Sequence, residues 1–247
     1  PAGSMGYLKP IRKKDRMNTL GIIGGMSPES TAAYYTQINR LINRQKGGNH
    51  SAPILLASVE FQEIVDCQQC CDWHKAGEIL AQGARTLEQA GADAVLLATN
   101  TMHKVAAPIQ AAIGVPFLHI LDSVAERIRA RGIRTIGLLG TRFTMQDAFY
   151  REGLAERGIQ TIVPNESAQA EIHRIIFEEL CVGHFPESSR RFYVQTIEQL
   201  AAQGAEGIIL GCTEIGLLVR PEDTAAPLFD TTEIHVHAAT EFILQLA

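Results

Sequence analysis

The feature that most constrains the fold of this chain is an internal duplication. The segment 87–101 aligns without a gap with the segment 200–214, at a constant offset of 113 residues (200 − 87). In each copy a glycine follows the end of a helical pattern, and a continuous apolar run (94–98 and 207–211) comes next. Such short apolar runs are typical of buried parallel strands. The chain is therefore expected to fold as two similar α/β halves.

Both copies end on a polar triplet that contains a small nucleophilic side chain. The triplets are Thr99-Asn100-Thr101 and Cys212-Thr213-Glu214, and the alignment places Thr99 on Cys212. Ligands of open α/β sheets bind at the carboxyl edge of the strands. If the two edges face each other across a cleft, Thr99 and Cys212 approach one substrate from opposite sides.

A second repeat starts each half with a strand, a glycine turn and a helix. The apolar run 19–23 leads into Gly24, and the run 135–139 leads into Gly140, at an offset of 116 residues (140 − 24). In the first half, Ser27 and Pro28 are the residue types favoured at a helix N-cap and first helical position. Each half is thus expected to begin with a strand that feeds a helix.

The alternation of strand and helix patterns predicts an α/β fold. We expect two pseudo-symmetric lobes with parallel sheets, a duplicated doubly wound arrangement, and an active site in the cleft between them. Lobe one is predicted to comprise residues 17–116 and 226–247, lobe two residues 117–225, and residues 1–16 an expression remnant or N-terminal extension. The remaining predicted elements are strands at 52–59, 115–121 and 161–163, and helices at 61–71, 75–90, 102–113, 122–131, 146–157, 170–181, 187–203 and 232–246.

Charge and hydropathy exclude several classes of partner. Residues 1–16 carry five basic residues and one acidic residue, so the rest of the chain has a formal charge of −9, compared with −5 for the whole. An acidic body argues against nucleic acid as the partner. No apolar stretch approaches the ~20 residues of a membrane span, and no secretory signal is visible at the N-terminus. We expect a soluble, cytoplasmic protein that acts on a small molecule.

Neither a metal nor a nucleotide cofactor is expected. Three of the five cysteines cluster with a histidine (Cys67, Cys70, Cys71 and His74), and on a helix these four would share one face. Structural zinc sites usually draw ligand pairs from two separate segments, so a buried face in a reducing compartment is the simpler interpretation. The Gly24-Gly25 turn lacks both dinucleotide and P-loop spacing, which makes a carboxylate the expected anion there.

Cys212 is the residue that a purely structural account explains least well. A helix cap would explain the threonines of the two triplets, but a cysteine gains nothing as a cap. A thiol exposed at the carboxyl edge of a sheet, beside a helix N-terminus, would have a pKa below its usual value of about 8.5, which matters mainly for chemistry. The alternative is that Cys212 is a buried small hydrophobe.

These motifs together resemble the aspartate/glutamate racemase superfamily, over residues 17–247. The matching stretches are Gly24-Gly25-Met26-Ser27 with Ser30-Thr31, the first triplet, Gly140-Thr141 with Thr144-Met145, and Gly211-Cys212-Thr213-Glu214. The resemblance implies two pseudo-symmetric lobes, no pyridoxal phosphate, no metal, and two cysteines that act as base and acid on opposite faces of an α-carbon. Members are often dimers, so a homodimer is expected. The implied substrate-binding residues are Met26, Ser27, Gln68, Asn100, Thr101, Thr213 and Glu214.

The chain departs from the two-cysteine pattern because the first triplet begins with threonine. A hydroxyl is a far weaker acid than a thiol, so Thr99 can donate a proton to a carbanion but cannot hold the basic form at neutral pH. The chain is most similar to racemases with a Thr/Cys pair, which implies conversion of aspartate or glutamate mainly from L to D, with Cys212 as base.

A second departure is Glu171, where many aspartate racemases have a basic residue for the distal carboxylate. His173, Arg174 and Arg142 are the candidates to replace it.

Two other functions remain open at this point. One is a related one-cysteine enzyme, either a decarboxylase of substituted malonates or a maleate-type isomerase. The other is a non-catalytic protein that binds an amino acid or dicarboxylate and has lost one cysteine. Exchange of the α-proton with solvent would distinguish the racemase from the binding protein.

Overall fold

Two four-stranded parallel sheets form the framework of the computed structural model, which describes residues 16–245. The predicted segment 1–16 lies outside the described residues except for Arg16. The strands are β1 (Leu20–Gly24), β2 (Ile54–Ser58), β3 (Ala94–Leu97), β4 (Phe117–Leu118), β5 (Thr135–Leu139), β6 (Gln160–Ile162), β7 (Ile208–Leu210) and β8 (Leu228–Asp230). The helices are α1 (Pro28–Lys46), α2 (Phe61–Gln69), α3 (Trp73–Gln89), α4 (Ala106–Ala111), α5 (Ile120–Arg129), α6 (Arg142–Gln146), α7 (Ala148–Ala155), α8 (Glu166–Glu178), α9 (Glu187–Ala202), α10 (Ile215–Leu218) and α11 (Thr231–Leu244).

The two sheets have the same topology. The strand order is β2-β1-β3-β4 in the first sheet and β6-β5-β7-β8 in the second, and all pairs are parallel. Each half therefore places its first strand beside the strand that carries the polar triplet. The predicted α/β fold and the predicted duplication are confirmed at this level.

The predicted lobe boundaries differ from the sheet membership of two strands. β4 pairs with β3 in the first sheet, although the boundary at 116/117 assigns it to lobe two. β8 pairs with β7 in the second sheet, although the boundary at 225/226 assigns it to lobe one. Each sheet gains one short edge strand, because the backbone groups of β3 and β7 need a hydrogen-bonding neighbour on their second side.

Both sheets are covered on two faces, as the apolar strand sequences require. Neighbouring residues of β1 point into different clusters, since Ile23 packs against α3 and Ile22 packs against α1 and α11. In the second sheet, Leu139 faces α8 and α9, whereas Leu138 faces α5 and α7. The C-terminal helix α11, assigned to lobe one from the sequence, packs on α1 and also on α5.

Three predicted elements are shorter or divided in the structure. The predicted helix 102–113 starts as a 3₁₀ turn (Thr101–Val105) and becomes α-helical only at α4, where Pro108 falls in the first turn and needs no N–H partner. The predicted helix 146–157 is split into α6 and α7 by Asp147, whose side chain caps α7. The predicted strand 115–121 ends at Leu118, because the His119 side chain caps α5.

No helix between residues 16 and 245 is long and apolar enough to cross a membrane.

Candidate active site

The two polar triplets lie at the carboxyl edges of equivalent strands and line one cleft. Thr99 follows the end of β3 by two residues, and Cys212 follows the end of β7 by two residues. The cleft has a volume of about 1110 Å³. All nine residues singled out from the sequence line it: Met26, Ser27, Gln68, Thr99, Asn100, Thr101, Cys212, Thr213 and Glu214.

The first glycine turn supports one wall of this cleft. The Gly25 N–H donates to Thr31 Oγ1 at 2.8 Å, and Thr31 Oγ1 donates to the Ser27 carbonyl at 2.8 Å. Ser27 caps α1 as predicted, with its Oγ accepting the N–H of Ser30 at 3.2 Å. The turn thus orients Met26 and Ser27 toward the cleft through bonds within a single segment.

The surroundings of Cys212 differ from the sequence-based expectation. Its Sγ donates a hydrogen bond to Glu214 Oε2 at 2.9 Å. Burial raises the pKa of the Cys212 thiol well above its usual value, and the neighbouring carboxylate raises it further. The expected lowering of this pKa is therefore wrong. The four-residue helix α10 begins three residues after the thiol, and any effect of its N-terminus is outweighed by burial and by the charge of Glu214.

Thr99 is held from behind by a buried histidine. The Ile120 N–H donates to His103 Nε2 at 3.2 Å, so this nitrogen carries no proton. His103 is then the tautomer with a proton on Nδ1, which donates to the Thr99 carbonyl at 2.7 Å. Burial lowers the pKa of His103 well below its usual value, so the ring is neutral. The Thr99 carbonyl is thus held in place, and Thr99 lines the cleft.

The Asn100 side chain forms hydrogen bonds that hold neighbouring segments of the site together. Its Nδ2 donates to Thr231 Oγ1 at 2.9 Å, and its Oδ1 accepts from the Tyr150 hydroxyl at 3.2 Å. Both partners come from segments that are distant in the chain. Both ends of the amide group are held by these bonds, and the backbone N–H of Asn100 is a further polar group at the site.

Thr213 connects elements of both halves through hydroxyl groups. Its Oγ1 lies 3.2 Å from Ser30 Oγ at the start of α1 and 3.1 Å from Thr232 Oγ1 at the start of α11. All three hydroxyls belong to residues that line the cleft. The chain of hydroxyls fixes the second triplet relative to the N-termini of two long helices.

The two strand ends also present backbone donors. In the described part of the chain, several N–H groups at these edges donate to no backbone carbonyl, among them those of Thr99, Asn100, Cys212 and Thr213. Grouped N–H donors of this kind are suited to hold a carboxylate or a developing negative charge.

Two of the basic residues that line the cleft belong to the second half. Arg142, the first residue of α6, and His173 of α8 both line the cleft. The Arg142 N–H donates to His173 Nδ1 at 3.3 Å, so a neutral His173 carries its proton on Nε2. Burial lowers the pKa of His173, and the Arg142 charge lowers it further.

Glu171 lies elsewhere, contrary to the match made from the sequence. Its carboxylate binds Arg174 at 2.7 Å, and both residues line a separate groove between α8 and α9. The two side chains point away from the cleft because positions 171 and 174 lie on a different face of α8 from position 173. Of the basic candidates proposed from the sequence, Arg142 and His173 reach the cleft.

Two functional-site candidates were missed by sequence reasoning. Cys181, in the 3₁₀ turn after α8, lines the cleft, and burial raises its pKa to about 11. Asp230, at the end of β8, also lines it, and burial raises its pKa to about 6. Its position at the carboxyl end of a strand was the signal that could have identified Asp230. Nothing in the sequence around Cys181 indicates its place.

The cysteine cluster does not form the single helical face predicted for it. α2 ends at Gln69, and Cys71 has a positive φ of 57°, which directs the chain away from the helix. Cys67 is buried, whereas Cys70 and Cys71 are exposed. Across residues 16–245, no group of three or more His, Cys, Asp or Glu side chains is arranged to hold a metal ion.

Comparison with known proteins gives a consistent result. The family model described as Asp/Glu/Hydantoin racemase matches residues 23–239. The crystal structure of a candidate Asp/Glu racemase from Yersinia pestis is 50% identical, covers 93% of this chain and 100% of its own, and superposes with a TM-score of 0.89. An aspartate racemase homologue from Pyrococcus horikoshii OT3 is 38% identical, with coverage of 92% and 100% and a TM-score of 0.82. The broad specificity amino-acid racemase RacX of Bacillus subtilis is 24% identical over 86% of this chain and 92% of its own length.

Proposed function

Because the chain belongs to the Asp/Glu/Hydantoin racemase family, we propose that it racemises aspartate or glutamate, mainly from the L to the D form and without a cofactor. Cys212 is the base that removes the α-proton. Thr99 is the donor that protonates the opposite face.

One observation carries this proposal. Thr99 and Cys212 occupy equivalent positions after β3 and β7, on different sheets, and both line one cleft. Inversion of an α-carbon requires a base on one face of a planar carbanion and a proton donor on the other. Two matched groups, one from each half of a duplicated fold and both at one cleft, support this assignment.

The difference between the two groups gives the reaction its direction. A thiol can be deprotonated to a competent base, whereas a threonine hydroxyl is too weak an acid to be one at neutral pH. The hydroxyl can still protonate a strongly basic carbanion. Removal of the proton by Cys212 and return of a proton by Thr99 is therefore the favoured sequence of steps.

The backbone donors at the strand ends fit the α-carboxylate of the substrate. The N–H groups of Thr99, Asn100, Cys212 and Thr213 are available to a ligand. As the α-proton leaves, negative charge spreads onto the carboxylate as an enediolate, and fixed N–H donors stabilise this charge without reorganisation.

An acidic side chain is favoured by the basic wall of the cleft. The Arg142 guanidinium and the His173 Nε2–H are the donors for a distal carboxylate, and they come from helices of the second half. Hydrogen bonds to a charged group contribute about 1.5–3 kcal/mol each, which is enough to select an acidic amino acid over a neutral one.

The experiment is an exchange assay in deuterium oxide. The enzyme is incubated with L- or D-aspartate or glutamate, and loss of the α-proton signal and change of chirality are followed separately. We expect exchange with inversion, faster from the L form, and none with Cys212→Ala, while Cys70→Ser, at an exposed thiol outside the cleft, behaves as wild type. Binding without exchange would indicate the non-catalytic alternative, and loss of carbon dioxide from a substituted malonate would indicate the decarboxylase.

A further inference from the structure

The base assigned above faces an electrostatic problem. Burial and a neighbouring carboxylate both favour the neutral thiol of Cys212, so the resting group is S–H and cannot remove a proton. Among the described residues, no lysine, arginine or histidine side chain is one of the main influences on this thiol, and the hydrogen bond from the Glu214 backbone N–H, which lowers the pKa, only partly offsets the rise. Formation of the thiolate therefore requires a group that accepts the thiol proton.

Within residues 16–245, one hydrogen-bonding contact of the thiol provides such an acceptor. Sγ donates to Glu214 Oε2 at 2.9 Å. The other ionisable groups near it are Cys181 and Tyr193, whose pKa values are both raised by burial, so both are protonated at neutral pH. Asp230 caps the N-terminus of α11, since its Oδ1 accepts hydrogen bonds from the N–H groups of Thr232 and Glu233.

We propose that Glu214 accepts the proton of the Cys212 thiol and so produces the thiolate at the moment of reaction. Glu214 then acts through Cys212 and is a positioning and proton-accepting residue, a different role from contact with the substrate. The inference rests on the proposed racemisation for its effect on turnover, but the thiol–carboxylate pair can be tested without any substrate.

The proton inventory balances over one turnover. The S–H proton moves to Glu214 Oε2, and the thiolate takes the α-proton to become S–H again. The carbanion takes the Thr99 hydroxyl proton, which gives the D product and an alkoxide. The proton on Glu214 leaves to solvent and solvent protonates the alkoxide, which restores carboxylate, thiol and hydroxyl.

The test compares three variants: Glu214→Gln, Glu214→Asp and the control Glu233→Gln. Glu233 is another carboxylate at the cleft, but it lies on α11 and pairs with His237. Two quantities are measured for each protein: kcat across pH, and the rate at which iodoacetamide alkylates Cys212 across pH, followed by mass spectrometry of the Cys212 peptide.

Opposite changes in the two quantities are expected for Glu214→Gln. Loss of the charge lowers the alkylation midpoint of Cys212 by about 1 pH unit or more, while kcat at neutral pH falls by about 100-fold because the acceptor is missing. The kcat of this variant should rise with pH, since hydroxide replaces the acceptor. Glu214→Asp should recover part of kcat, and Glu233→Gln should match wild type in both quantities.

The proposal is overturned if Glu214→Gln keeps its kcat, or if kcat falls while the alkylation midpoint stays unchanged. The wild-type protein provides an independent check if the variant does not fold. Its Cys212 must alkylate with a midpoint above the ordinary thiol value of about 8.5, and a midpoint at or below that value also overturns the proposal. Absence of racemisation in wild type with a high alkylation midpoint would reject the proposed function and leave the pair intact.

Discussion

Thr99 and Cys212 occupy matching positions in a duplicated fold but have different surroundings. The Cys212 side chain contacts a carboxylate. Thr99 is fixed by its carbonyl, which accepts a bond from a neutral histidine. At the residue scale, the duplication therefore supplies two equivalent sites, and the neighbours of each side chain determine what chemistry it can perform.

Restoring the second thiol tests this difference. Thr99→Cys should raise the rate from the D enantiomer at least about ten-fold more than the rate from the L enantiomer, because a thiol can act as the base on that face. The measurement is the initial rate of inversion from each enantiomer. Thr101→Cys is the matched control, since it adds a thiol to the same triplet at a position that does not align with Cys212. Equal gains in both directions would show that Thr99 does not face the α-carbon.

Selection of an acidic side chain is tested at Arg142. Arg142→Gln should raise KM for L-aspartate by about 10-fold or more, because a hydrogen bond to a charged group is lost. Arg174→Gln is the control, since Arg174 pairs with Glu171, Glu178 and Glu179 outside the cleft. The same rise in KM in both variants, or for a neutral amino acid as well, would remove Arg142 from the substrate pocket.

At the scale of elements, the site depends on short turns between strand and helix. β1 passes into α1 through Gly24-Gly25, and β5 passes into α6 through Gly140-Thr141. The close approach of helix to strand leaves no space for a side chain: a Cβ on Gly24 would lie 2.4 Å from Thr31 Cγ2, and one on Gly140 would lie 3.0 Å from Thr144 Cβ. The same packing thus recurs in both halves.

A comparison of substitutions at Gly25 and Gly48 tests the effect of steric crowding at two glycines that both have positive φ. Both have positive φ, 95° and 55°, but a Cβ on Gly25 would lie 2.4 Å from the Val59 carbonyl oxygen, whereas nothing lies within 4 Å of one on Gly48. Gly25→Ala should therefore lower the free energy of unfolding by at least about 1 kcal/mol more than Gly48→Ala. Urea unfolding of the two variants measures the difference, and equal losses would contradict it.

At the scale of the whole molecule, a group of neutral histidines, two of them buried and one half-buried, joins the two halves. His103, His119 and His235 have ring centroids 4.7 Å and 5.9 Å apart, with His103 between the other two. His235 Nε2 donates to the Leu118 carbonyl at 2.9 Å, and its Nδ1 accepts from the Tyr34 hydroxyl at 3.0 Å. The group links α11 and β4 to the segment that carries Thr99.

This group predicts a loss of stability in mild acid. Burial lowers the pKa of His119 and His235 to about 4, so the unfolded chain binds more protons than the folded chain between pH 6.5 and 4. The free energy of unfolding should fall through this window, with His235 alone accounting for about 3 kcal/mol. Asp230 acts in the opposite sense below pH 6, because its pKa is raised to about 6.

Urea unfolding at pH 7.5, 6.0 and 5.0 measures how the free energy of unfolding depends on pH. The variant His235→Gln is less stable at pH 7.5 but should show a smaller decrease toward pH 5.0. A free energy of unfolding that is unchanged between pH 7.5 and 5.0 in the wild-type protein would contradict the prediction.

The sequence by itself determined the duplication, the α/β class and the strand ends at which the triplets lie. The α/β class and the strand ends follow from local periodicity and from glycine and capping residues, so they can be read within about 10 to 20 consecutive residues. The duplication follows from comparing two such stretches 113 residues apart. The assignment of Thr99 and Cys212 to a single cleft also came from the sequence, because ligands bind at the carboxyl edge of each parallel sheet and two halves related by pseudo-symmetry can turn these edges toward each other.

The tertiary structure decided what surrounds each of these groups. Asn100 binds Tyr150 and Thr231, which lie 50 and 131 residues away in the chain, and the short edge strands β4 and β8 pair with β3 and β7. The lowered pKa expected for Cys212 was wrong for the same reason, since burial depends on α8, α9 and the rest of the second core. Arg142 and His173 reach the cleft while Glu171 does not, because packing fixes the rotation of α8. Such contacts depend on how distant segments pack, and no local pattern encodes them.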